Sequence, residues 1–406
     1  MNRSLVSFFG ILLLGIFIYF CGNDVCDIVT KNFNLIRDVV DNDVVDIKQR
    51  TEAVKNNEVI KLALFGDLNK FKIYGIDVKK AYEFAAEEIN ASGILKKKLQ
   101  IVSFDKEGDI YRYQEVAKLI AEDPSVFGVI GPFETKYLVG FSEIFANTGL
   151  FEIIPITIRN RFFENKPKSL FVTSSSCDSL ADAWIEFFSK NGFDNVILLD
   201  LYENFNGRCG VSKEISEKKF KSNLNFAYRY EMDKVDLRWL RENLKESKSY
   251  FGSNGVFVVS NKHFEQNYSF ELLDMVLDLF NDGNVFYDDL ISLDEIKDIK
   301  FNHDRLFVSC YYEDNEPFKV LINKLRQQPW YKNDFIALRI YEDLWLIADA
   351  INKSGSYERD KISEYMLNNP LNTPLGDFTF SEDGYAVKRP ICIMSISDVE
   401  KIWSNK

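Results

Sequence analysis

Two histidines, His263 and His303, are all that a chain of 406 residues carries, and neither has a serine, cysteine or acid at a spacing that suggests a nucleophile pair. The serine-nucleophile elbow G-x-S-x-G, the zinc-protease helix H-E-x-x-H and the phosphate-cradling P-loop are also missing. The first apolar strand ends in Gly66-Asp67-Leu68-Asn69, without the glycines that let backbone approach a pyrophosphate. Cysteine is sparse: Cys21, Cys26, Cys177, Cys209, Cys310 and Cys392 contain no C-x-x-C pair and have no histidine nearby, so no metal site is expected. Basic charge is short too. Fifty Lys and Arg against 62 Asp and Glu leave a net charge of -12, which excludes a nucleic-acid binder because phosphates need a basic face. No solenoid-length repeat is present. These absences leave no catalytic chemistry to assign, and a non-enzyme without cofactor is expected.

Length suffices for two domains of roughly 150 to 200 residues, and 46% hydrophobic residues can fill ordinary cores. The 35 Phe and 19 Tyr are a surplus that codon bias explains as readily as binding chemistry. Leu5 to Phe20 (LVSFFGILLLGIFIYF) is nearly all apolar after Met-Asn-Arg-Ser, the pattern of a secretory signal or signal anchor. Cys21 ends that run, at the position of the acylated cysteine of bacterial lipoproteins, although Tyr19 and Phe20 replace the usual small residues. Lipoprotein, uncleaved anchor and plain signal peptide all remain open, and all three export the rest of the chain. Cys310 and Cys392, in the apolar runs LFVSCYY and PICIMSI, read as small core residues. Cys177 and Cys209 could pair in an oxidising compartment.

Residues 22–58, rich in Asp, Asn and Lys, read as a spacer carrying a loose amphipathic helix. From Val59 an α/β rhythm begins. Apolar strands near 60–65, 99–104, 127–130 and 152–155 alternate with helices near 76–91, 110–122 and 135–147. The first helix shows Ala81, Phe84, Ala85 and Ile89 on one face. The strands are apolar throughout, as in a parallel sheet covered on both faces. A second block has strands near 196–200, 224–230, 255–259 and 284–286. It is followed by the strand 305–310, helices near 316–328 and 334–353, and two strands joined at Ser-Glu-Asp-Gly.

Four segments, AAEEINASGIL, DPSVFGVIGPFET, FIALRIYEDLWLIADAINKSG and TPLGDFTFSEDGY, carry a resemblance to the type I periplasmic solute-binding proteins, nearest the leucine/isoleucine/valine-binding branch that feeds ABC importers. The resemblance implies two doubly wound Rossmann-like lobes joined by three crossing strands, expected near 170–176, 303–309 and 370–377. Ahead of them, the apolar run makes 1–21 the signal or anchor, and 22–58 is the linker. Residues 59–172 and 308–371 would form lobe 1, and 177–303 and 376–406 lobe 2.

For an amino-acid ligand, the resemblance places the carboxylate at Thr135, in Gly131-Pro132-Phe133-Glu134-Thr135, where hydroxyl and helix N-terminal donors favour an anion. A plain N-cap explains Thr135 equally well. Thr157 matches a residue that binds through its backbone, whereas Ile158 stands where relatives carry Thr or Ser. Asp289, with Asp288 beside it, matches the acid that holds the ammonium; a solvated turn is the alternative. Tyr74 and Phe205 (or Tyr202) match aromatic walls, and core packing accounts for Phe205 as well. The function implied is capture of a small polar ligand of the amino-acid kind and its delivery to an ABC permease. Ile158 and Glu134, the latter repelling an anion, also suit a membrane-anchored sensor with no transport role.

Overall fold

The computed structural model describes residues 45–68, 77–105, 110–133, 138–155, 166–193, 195–200, 215, 218, 225–231, 236–251, 255–259, 267–287, 300–332, 335–387, 389 and 391–404. The first lobe is built on β1 (Val59–Gly66), β2 (Lys98–Asp105), β3 (Val126–Ile130), β4 (Phe151–Ile154) and β5 (Leu170–Val172). Their order is β2-β1-β3-β4-β5 and every pair is parallel. Successive side chains of β1 enter different cores. Ile60, Leu62 and Leu64 join one apolar cluster, while Ala63 and Phe65 join another. That explains why the strand is apolar without alternation: helices cover both of its faces.

Helix α1 (Ile47–Asn56) precedes the sheet, and α2 (Val78–Ser92), α3 (Ile110–Glu122) and α4 (Leu138–Asn147) connect its strands. Helix α2 turns Val78, Ala81, Tyr82, Ala85 and Ile89 inward, the stripe expected from 3.6-residue periodicity. Asp77 caps its start by accepting from the Lys80 N–H, and Gly93 ends it in the left-handed conformation (φ 69°).

The second lobe comprises α5 (Cys177–Asn191), β6 (Asn195–Asp200), β7 (Asn225–Glu231), α6 (Leu237–Phe251), β8 (Gly255–Val259), α7 (Asn267–Leu279), β9 (Asn284–Tyr287) and β10 (Leu306–Cys310). Strand β14 (Cys392–Ser395) completes a sheet ordered β14-β10-β9-β8-β6-β7. Only β14 runs antiparallel, against β10. Trp184, Phe188 and Phe286 form its outer core, with Phe188 and Phe286 at a centroid distance of 4.8 Å.

After β10 the chain returns to the first lobe through α8 (Glu316–Arg326) and α9 (Ile336–Ser354), then α10 (Arg359–Asn368). A small antiparallel sheet follows, of β11 (Leu371–Thr373), β12 (Gly376–Phe380) and β13 (Ala386–Val387). Its turn binds the edge of β5: the Val172 N–H donates to the Gly384 carbonyl, and Phe380 packs edge-on against Phe171. The final helix is α11 (Ile396–Ser404).

Two expectations shift here. Residues 306–310 are an internal strand of the second sheet, and 371–387 pack on the first lobe. The chain therefore crosses between lobes at 173–176, 311–315 and 388–391, not at 303–309 and 370–377. The cause is pairing: β10 is sandwiched between β9 and β14, and the Ser381–Gly384 turn is held by β5. The tail 376–387, expected in lobe 2, accordingly sits on lobe 1.

Nor is all of 22–58 a spacer. Helix α1 docks on the first lobe through Arg50, which is 2% exposed. Its guanidinium donates to four backbone carbonyls, of Thr148 (2.7 Å), Asp123 (2.6 Å), Val126 (2.7 Å) and Ala121 (2.5 Å). These carbonyls belong to the ends of α3 and α4 and to the start of β3, so one side chain satisfies the orphan acceptors of two helix termini. Arg50→Ala should lower stability by roughly 3 kcal/mol in urea unfolding, since several charge-assisted hydrogen bonds are lost with buried acceptors left bare; an unchanged midpoint would show that α1 is not part of the lobe.

Candidate functional site: the interlobe boundary

In the first lobe β1 ends at Gly66, β3 at Ile130, β4 at Ile154 and β5 at Val172, all on one sheet edge. The strand order reverses between β1 and β3, the switch point at which open parallel sheets leave a crevice. The second sheet repeats the arrangement, with its reversal between β6 and β8. The first crossing leaves the carboxyl end of β5 and enters α5; the second leaves the carboxyl end of β10 and enters α8. Helix α5 runs back along β6, so its N-terminus lies at the carboxyl edge of the second sheet. With crossings of four and five residues, about 13 to 18 Å at full stretch, the two carboxyl edges must face each other across the boundary.

At the first lobe's switch point the backbone makes its closest approach. Gly131 has φ +109°, and a Cβ there would lie 2.1 Å from the Phe65 carbonyl oxygen, so only glycine fits. The following Pro132 is reached through a cis peptide bond. Phe133, 6% exposed, lays its ring edge where a Cβ on Gly66 would be 3.0 Å away. It thus fills the crevice between β1 and β3, beside Tyr82 at a ring distance of 6.5 Å.

The site residues expected from sequence all follow these strand ends. Tyr74 comes after β1, Thr135 after β3, Thr157 after β4, Phe205 after β6 and Asp289 after β9. All five, with Cys21, lie outside the described residues. What the structure does describe is the floor of the interlobe boundary.

That floor is charged, and the sequence reading missed it. Helix α9 buries Glu342 and Asp343, and all three crossings reach them. From the third crossing, Arg389 pairs with Glu342; their side chains are 3% and 4% exposed. From the second, the Tyr311 hydroxyl donates to Glu342 Oε2 at 2.5 Å. From the first, the Thr173 hydroxyl, which donates to the Ile154 carbonyl at 3.5 Å, lies close enough to Asp343 to pull its carboxyl down. Thr373 donates to Glu342 Oε1 at 2.8 Å, and the Tyr82 hydroxyl to Asp343 Oδ2 at 3.1 Å. The Arg389 guanidinium is sandwiched between rings, 4.5 Å from the Tyr311 centroid and 4.4 Å from that of Phe378, a favourable placement for a desolvated cation. Arg339, one turn before Asp343, is half-buried and supplies the second positive charge.

The balance leaves marks. Burial pushes the Asp343 carboxyl up to about 6, although the Thr173 hydroxyl, Arg389 and Arg339 pull against it. Burial likewise drives the Tyr311 and Tyr82 hydroxyls well above their usual range. Asp343 Oδ1, Arg339 Nε, Arg389 Nε and Nη2, and Ser174 Oγ are buried without a protein partner. A sequence signal was available: Arg339 and Asp343, four apart, sit on the same stripe as Ile336, Ile340 and Ile347. Charges on an apolar face are almost never fully buried unless paired.

A disulfide adjoins this cluster. Cys310 and Cys392 face each other across the β10–β14 pair with Cα atoms 5.2 Å apart, so they are not simple core residues. Cys177 is disulfide-bonded as well, to a cysteine outside the described residues. Among the described residues no group of His, Cys, Asp and Glu could hold a metal.

Residues 60–208 match the family model described as periplasmic binding protein. The whole has the fold of the type I periplasmic binding proteins. Three similar solved structures are an ABC transporter substrate-binding protein from Desulfitobacterium hafniense in complex with Leu, the branched-chain amino acid transporter substrate-binding protein LivJ from Streptococcus pneumoniae in complex with isoleucine, and a solute-binding protein from R. palustris in complex with benzoate. The first has a TM-score of 0.69 at 16% identity, covering 82% of this chain and 96% of that one. The second has 0.66 at 14%, covering 83% and 96%, and the third 0.63 at 12%, covering 83% and 93%. No match is found among curated proteins.

Two outcomes test the buried cluster. Arg389→Met strands Glu342 without its cation and should cost about 3 to 5 kcal/mol in urea unfolding, whereas Arg389→Met with Glu342→Leu should recover most of that loss. Asp343 is easier to protonate in the folded state than at its ordinary 3.8. Its stabilising contribution is therefore complete below about pH 4 and lost as pH rises through about 6, a swing of about 3 kcal/mol. Asp343→Asn should flatten this part of the stability profile; an unchanged slope would place the titration elsewhere.

Proposed function

We propose that this chain is an extracytoplasmic solute-binding protein that captures a small carboxylate-bearing ligand, of the amino-acid kind, between its lobes and hands it to an ABC importer. The observation that carries this reading is the pair of parallel sheets whose carboxyl edges meet across three short crossings. This arrangement traps a ligand between two crevices and performs no chemical transformation. Ligand stabilises one disposition of the lobes over another, and a permease reads the difference.

The ligands named with the three similar structures, leucine, isoleucine and benzoate, share a carboxylate on an apolar body. Thr135, Thr157 and the helix start after β3 suit the carboxylate, and Asp289 an ammonium; Tyr74 and Phe205 would wall the apolar body. Export is supported by the apolar leader Leu5 to Phe20 and by the disulfides, which persist in oxidising compartments. Acylation at Cys21 or an uncleaved leader would tether the protein to the membrane. Among the described residues no helix is long and apolar enough to cross one.

A second reading, a membrane-anchored sensor of the same fold, is favoured by Ile158 and Glu134, which remove a polar contact and add a negative charge where an anion is expected.

A thermal-shift panel of leucine, isoleucine, benzoate, their carboxamides and unrelated sugars separates the ligand classes. A true ligand at about 100 times its dissociation constant adds roughly 2.7 kcal/mol. Loss of the shift with the carboxamides would confirm carboxylate recognition, and no shift with any acid would sink the proposal. For an amino acid, Asp289→Asn should weaken binding more than Phe205→Leu does, while benzoate should be insensitive to Asp289→Asn. Equal, negligible effects on leucine would remove Asp289 from the site.

A further inference from the structure

The three crossings are braced very unequally. The second begins at Cys310 and the third ends at Cys392, and the disulfide between these residues fastens both crossings together at the second lobe. A few residues on, Tyr311 and Arg389 both bind Glu342 of α9, fastening the same two crossings at the first lobe. Beside these crossings a further clasp spans the boundary. Trp403 of α11 packs on Tyr331 and Phe335 at ring distances of 5.7 and 5.0 Å, and Arg326 of α8 donates to the Ile402 carbonyl.

The first crossing, Thr173-Ser174-Ser175-Ser176, lacks such bracing. Thr173 is tied back to the first lobe, its N–H donating to the Ile154 carbonyl at 3.1 Å. Ser176 is tied to the second as the cap of α5, accepting from the Ser179 N–H at 3.1 Å. Ser174 and Ser175 between them make no hydrogen bond to described residues, and the Ser174 hydroxyl is buried without a partner.

We propose that the lobes of this protein swivel about a fixed axis formed by the second and third crossings, locked to each other by the Cys310–Cys392 disulfide and the Tyr311–Glu342–Arg389 contacts, with backbone change confined to Ser174 and Ser175. This goes beyond ligand capture, since it holds for whatever the cleft binds. Hinges absorb movement at a few residues able to change φ and ψ, and among the described residues of the first two crossings Ser174 and Ser175 alone make no hydrogen bond. Cutting the disulfide unlocks the axis, because β10 and β14 then rely on ladder hydrogen bonds alone.

The test places spin labels, carried by non-natural amino acids, at exposed Lys118 on lobe 1 and Lys190 on lobe 2 of the full chain, and measures the interlobe distance distribution. Cys310→Ala with Cys392→Ala should widen the distribution roughly twofold while circular dichroism stays native. Amide exchange on the unaltered protein supplies a second reading that needs no variant: Ser174 and Ser175 should exchange roughly tenfold or more faster than Tyr311 and Arg389. Equal widths in the folded double variant, or exchange at Tyr311 and Arg389 as fast as at the serines, overturns the proposal.

Discussion

Two carboxylates side by side on a buried helix repel each other and lose their hydration, so they persist only where cations and hydroxyls are brought to them. In this chain the groups brought to Glu342 and Asp343 come from segments far apart in sequence: Tyr82 from α2, Thr173, Tyr311 and Arg389 from the three crossings, and Thr373 from β11. Apolar packing tolerates small slides between surfaces. A carboxylate that must meet a guanidinium, a phenol and a hydroxyl at once does not. Replacing such a cluster with well-packed apolar side chains is often neutral or stabilising, which points to geometry rather than stability as its contribution. It sets the place at which each crossing enters the first lobe.

The layers on either side are conventional by comparison. Each lobe covers a parallel sheet on both faces, so its strands read as unbroken apolar runs, and the same rhythm appears in both. At the carboxyl edge of the first sheet, Gly131 and Phe133 bring backbone and ring close together at the strand reversal.

Much of this was legible in the sequence. Strands β1 to β4, β6 and β8 to β10 and helices α2 to α4, α8 and α9 follow from apolar runs and 3.6-residue spacing, which burial dictates directly. The crossings at 311–315 and 388–391 were not legible. Their positions depend on which strands β10 and β13 pair with, and pairing partners leave no periodic trace. Pairing also hid the disulfide: Cys310 and Cys392 are 82 residues apart and meet only through the antiparallel register of β10 and β14. Arg50 and Arg389 drew no reading from the sequence, because composition treats every arginine alike. Tyr74, Thr135, Thr157, Phe205 and Asp289 were placed by resemblance, each just past a strand whose end the structure does fix.

Arg50 grips the start of β3 and the ends of α3 and α4, all at the amino-terminal edge of the first sheet. The chain preceding Val45 therefore joins the body at the pole opposite the mouth. A leash pulled from that pole turns the opening outward, away from whatever surface holds the leash, as a cup stands on its base. Were the protein tethered through that segment, as proposed above, a partner in the same surface would meet the rim only after the body tips over.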